Sequence, residues 1–87
     1  MTNQMTVQTD RPKLVVGRTR ADGLMAHAHM TSPLQTKIVS ARRLFDEAEH
    51  LMNSPGAATA VYGRAIDEKI TWANSILTIV DEALDGD

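Results

Sequence analysis

The residues best suited to chemistry in this sequence are His27 and His29, set among Met25, Ala26, Ala28 and Met30. Imidazole with thioether suits a soft ion such as copper(I). In an extended chain the two histidines share one face. In a helix they point about 160° apart and cannot hold one ion between them. With no cysteine or adjacent carboxylate to complete a ligand set, the expectation is no metal site, and a segment whose Met and Ala residues pack on neighbouring helices.

Catalysis has few further candidates. There is no glycine-rich phosphate loop, no cysteine nucleophile, and no histidine paired by pattern with a serine. Asp46, Glu47, Asp67 and Glu68 fall on helix faces that read as solvated. A small helical body also offers little room for a concave pocket. The expectation is a non-enzymatic protein without a cofactor.

The chain of 87 residues has room for one domain, and a core of that size is marginal unless something else completes it. Without cysteine, disulfides and zinc–thiolate sites are excluded. Met1 to Asp10 is polar and lacks the apolar centre of a signal peptide, and the apolar runs are far too short to cross a membrane. A soluble protein is expected, cytoplasmic or part of an assembled particle, with no membrane partner. The net charge of −2 is unevenly spread. Residues 1–31 carry four basic and two acidic residues, whereas residues 32–87 carry five basic and nine acidic. A basic segment beside an acidic body can fold back on it, lie on a neighbouring copy, or reach an anion.

The chain is organised around Ala57 to Leu84, a long amphipathic stretch. At about 100° per residue, Tyr62, Ile66, Ile70, Ala73, Leu77, Val80 and Leu84 form one stripe. Val61, Ala65, Trp72, Ile76, Ile79 and Ala83 form a second beside it. Together they cover roughly 180°, more than the 100° or so that one packed neighbour covers. The excess asks for a second partner.

Upstream, Ser32-Pro33-Leu34-Gln35 reads as a capping box with proline at the first helical position. A helix over about 33–52 follows, with Leu34, Ile38, Ala41, Leu44, Phe45, Ala48, Leu51 and Met52 on one arc. Asn53-Ser54-Pro55-Gly56 reads as a stop and a fresh start: Asn53 in the left-handed position, Ser54 as a cap, and a second helix over about 55–85. So short a connection implies an antiparallel hairpin; one long helix kinked at Pro55 is the alternative. Gly86 is a plausible stop. The layout broadly resembles that of type III secretion needle and inner-rod subunits, on the Asn53-Ser54-Pro55 break, while the Gly86-Asp87 ending departs from the apolar finish of such subunits.

Residues 1–31 read differently. Met1 to Asp10 is expected to be disordered. Lys13-Leu14-Val15-Val16-Gly17-Arg18, bounded by Pro12 and Gly17, reads as a short strand or extended recognition segment. Asp22 is positioned to cap a short helix over 24–30.

The expected architecture is therefore all-α: an extended or partly disordered basic arm over 1–31, then a two-helix hairpin over 32–87 completed by oligomerisation or a partner chain. The expected function is protein–protein interaction, as a subunit that self-associates or co-assembles into a larger bacterial or phage particle. Leu14, Val16, Arg18, Val61, Lys69, Trp72, Ile76 and Ile79 are the expected contact residues, with Lys69 either snorkelling or meeting an acid of a second copy such as Glu49. The alternatives are an inhibitor that uses the acidic helical face to bind an enzyme or nucleic-acid complex, and nucleic-acid binding through Arg11, Lys13, Arg18 and Arg20.

Overall fold

The computed structural model describes the backbone of residues 2–28, 32–57 and 59–85, and the side chains of residues 11–27, 33–57 and 59–85. The described residues form three α-helices and no strand: α1 (Thr2–Ala28), α2 (Ser32–Met52) and α3 (Ala60–Asp85). The arm expected to be extended is therefore helical, and the helix count is three rather than two. The resemblance to the needle-subunit layout, which rested on two helices and a break, lapses with it.

Why residues 11–27 fold as helix is visible in what they bury. Leu14, Gly17, Ala21 and Leu24 recur at intervals of three and four, so they share one helical face, and all four are buried. Two valines that suggested a strand, Val15 and Val16, point to solvent instead. Pro12 lies inside α1. It leaves one carbonyl a turn upstream without its helical donor, a local loss that the packing further along outweighs. Asp22, expected as a cap, instead forms an ion pair with Arg42 of α2.

The polar contacts between helices give their directions. Along α1, Arg11 reaches Asn53, Arg18 reaches Glu49 and Asp46, and Asp22 reaches Arg42, so α2 descends as α1 ascends. Lys13 lies opposite Asp67, and Arg20 opposite Thr78 and Asp81, so α3 ascends beside α1. The result is an up-down-up bundle, 47 × 16 × 16 Å. Its core joins Leu14, Ala21 and Leu24 to Ile38, Ala41, Phe45, Ala48 and Met52 of α2, and to Ile66, Ile70, Ala73, Leu77 and Val80 of α3. The core of the α2–α3 pair, expected to be completed by another chain, is thus closed by α1.

The connection between α2 and α3 is longer than the sequence suggests. Asn53 continues the turn, its N–H donating to the carbonyls of Glu49 and His50, and no described non-glycine residue has positive φ. Ser54 is not an N-cap: its hydroxyl donates to the His50 carbonyl at 2.8 Å, finishing α2 rather than starting α3. The cap is Thr59, whose Oγ1 accepts from the Tyr62 N–H at 3.3 Å. Glycine at position 56 disfavours helix just after Pro55, so nucleation waits for the next residue with a capping oxygen. The Ser32 side chain and Gly86 lie outside the described residues, and with them the expected first cap and last stop.

Candidate functional site

Core residues of α3 fall within about 40° of one direction around the helix axis, taking Ile66 as reference. Asp67, Asn74, Thr78 and Asp81 lie roughly 60–120° to one side of it, and Asp67, Thr78 and Asp81 there meet α1. On the other side, roughly 60–140° round, lie Val61, Ala65, Lys69, Trp72, Ile76, Ile79 and Ala83. Lys69 marks this as the α2 side, since its Nζ meets Glu47 Oε1 at 2.6 Å. The row is therefore as far from α1 as α3 allows, and closing the core with α1 leaves it open. Val61 is 76% exposed, Trp72 64% and Ile79 53%.

The expected contact residues divide between this row and the core. Val61, Trp72 and Ile79 lie open on the outer face of α3. Ile76 is half-buried at its inner edge, packed against the core with Leu44 and Leu51 of α2. Lys69 meets an acid of its own chain, and that acid is Glu47, not Glu49. Leu14 is in the core, while Val16, two residues on, faces solvent. Hence the arm covers the α2–α3 core through Leu14, Ala21 and Leu24, and covers none of the outer row with Val16. Arg18 sits between Asp46 at 2.8 Å and Glu49 at 3.1 Å, joining α1 to α2.

The charge asymmetry of the sequence is resolved inside the molecule. Lys13, Arg18 and Arg20 pair with acids of α2 or α3, and Arg11 donates to the Asn53 side chain just past α2. Those pairs are largely exposed, so each contributes about 0–1 kcal/mol. Burying a leucine contributes about 1.5–3 kcal/mol, so Leu14 and Leu24 hold α1 down and the ion pairs fix its register.

Among the described residues no three metal-ligating side chains cluster, and His27 is exposed on α1 while His29 lies outside the described residues. Arg43, Asp46, Glu47, His50, Leu51 and Lys69 border a shallow open depression, but Asp46 and Glu47 there are already held by Arg18 and Lys69. No described helix is long and apolar enough to cross a membrane.

Half-buried Leu44 and Leu51, not among the expected contact residues, belong beside the outer row. The antiparallel register that sets Glu47 opposite Lys69 places Leu44 level with Trp72. Their signal was present in the sequence, since both lie at the edge of the apolar arc of α2.

In comparison with known proteins, no family model, no curated protein and no solved structure matches this chain.

Proposed function

We propose that the protein is a non-enzymatic protein–protein interaction subunit that self-associates or co-assembles through the outer face of α3. The observation that carries this is the open row of Val61, Trp72 and Ile79 on a bundle whose core is already closed. Scattered apolar residues on a surface need no explanation, but large ones aligned along one face of one helix mark a contact surface. Tryptophan is among the side chains that most often anchor such contacts.

The acidic-face alternative has less to work with, because Asp46, Glu49, Asp67 and Asp81 are engaged by α1. The same pairs occupy the basic side chains on which nucleic-acid binding would draw.

Sedimentation equilibrium over a range of concentration tests the reading. The parent chain is expected to associate, and Trp72→Asp with Ile79→Asp to remain a folded monomer with unchanged helical circular dichroism. Association that survives both substitutions, or a parent that is monomeric throughout, overturns it.

A further inference from the structure

We infer that the outer face of α3 receives α3 of a second copy, running antiparallel, with the two-fold axis near Trp72. This rests on the interaction reading above and adds the occupant and its direction.

The first observation is spacing. Ala65, Lys69, Trp72, Ile76, Ile79 and Ala83 follow one another at alternating intervals of four and three, with Val61 four residues ahead of them. That is the spacing of a seam between two helices, in which each side chain enters a gap between residues of the facing helix. The inner stripe of the same helix, Ile66, Ile70, Ala73, Leu77 and Val80, is filled by α1 and α2. The outer seam thus asks for a helix of matching period, and α3 itself has that period. From Val61 to Ala83 the row is centred on Trp72, as a two-fold contact of a helix with itself requires.

Lys69 decides the direction. In a parallel pair it would face its own copy across the seam, and two ammonium groups would oppose each other in a partly desolvated layer. An antiparallel pair places it instead against apolar or aromatic side chains of the other copy, near Trp72 or Ile79. There its stem packs while its ammonium stays with Glu47 at the rim, and a tryptophan face attracts the cation.

The ends of α3 agree with this choice. Its last turn holds no basic residue, yet Asp81, Glu82 and Asp85 gather there against the negative pole of the helix. Among the described residues, Asp81 alone of the three has an ion pair, with Arg20 at 3.9 Å. Among the described residues Glu82 and Asp85 have none, and near the other end neither has Arg64. Arg64 and Glu82 are 18 residues apart, about five full turns, so they lie on one line along the helix. Antiparallel pairing brings Arg64 and the positive pole of one copy to the acidic end of the other, twice. Parallel pairing would set acid beside acid.

The chain has no cysteine, so a single Val61→Cys carries a spin label without competition. In the antiparallel dimer the two labels are separated along the axis by about 33 Å, from 22 residues at 1.5 Å each; in a parallel dimer they sit about 10 Å apart, one interhelical distance. Dipolar spectroscopy is expected to give the long separation. Arg64→Glu is expected to weaken the dimer about tenfold, and Arg64→Glu with Glu82→Arg to restore it. A short label distance, or no rescue by the second exchange, overturns the antiparallel inference while assembly lost on Trp72→Asp with Ile79→Asp keeps the interaction reading. Assembly that ignores those two substitutions overturns both.

Discussion

Gly17 of α1 lies directly against the ring of Phe45 of α2, so close that a Cβ on Gly17 would meet the ring end well inside the distance real Cβ atoms keep. Phe45 is fully buried, and its ring cannot swing aside without disturbing the core around it. The glycine is therefore the notch that lets α1 approach α2.

Gly17→Ala is expected to destabilise the bundle even though alanine gains about 1 kcal/mol of helix propensity. Overpacking a filled core costs about 1–3 kcal/mol, and the net loss should appear as a lower midpoint in urea. Gly23, on the same helix, has nothing within 4 Å of its would-be Cβ. Gly23→Ala should therefore stabilise, by about 0.5–1 kcal/mol. Equal shifts in the two variants would show that the notch plays no part.

The start of α3 gives a second contrast. Thr59→Ala removes the oxygen that accepts from the Tyr62 N–H and should cost about 1 kcal/mol. Ser54→Ala removes only a hydroxyl donated to the His50 carbonyl, and its cost should be smaller. Thermal melts of the two variants, side by side, check the order.

Salt should loosen α1 before it loosens α2 or α3. Lys13, Arg18 and Arg20 fix the register of α1 through exposed ion pairs that add to the hold of Leu14 and Leu24, and such pairs are screened as the Debye length shrinks to about 3 Å at 1 M. Hydrogen exchange in 1 M sodium chloride should accelerate in residues 11–27 relative to α2 and α3. Uniform protection across all three helices would contradict this. Arg18→Ala should have a larger effect than Lys13→Ala, because Arg18 meets two acids closely whereas Lys13 stands 4.0 Å from one.

Inner and outer stripes of α3 should respond differently to truncation. Leu77→Ala empties a fully buried position and should cost about 2–5 kcal/mol, a large part of what so small a domain possesses. Trp72→Ala should leave the midpoint of the monomer nearly unchanged, since its side chain is mostly in solvent. Chemical denaturation at low protein concentration separates the two.

Sequence alone determined the helical class, the segments that became α2 and α3, and the inner and outer stripes of α3. It could do so because those helices alternate large apolar residues with charges, so the period of 3.6 stands out from residue types. Ile66, Ile70, Ala73, Leu77 and Val80 are buried while Val61, Trp72 and Ile79 are not, and both sets can be read from spacing. Only the tertiary structure decided α1. Its buried face is Leu14, Gly17, Ala21 and Leu24, half of it small, while Val15 and Val16 are apolar and wet. A helix that buries a glycine and exposes two valines has almost no contrast between its faces, and no period can be read from it. What fixes it is the surface it meets: the Phe45 ring, which only a glycine can approach, and the acids of α2 and α3, which lie where Arg18 and Arg20 reach them. Those features belong to residues distant in sequence, so the helix is specified by the bundle it completes.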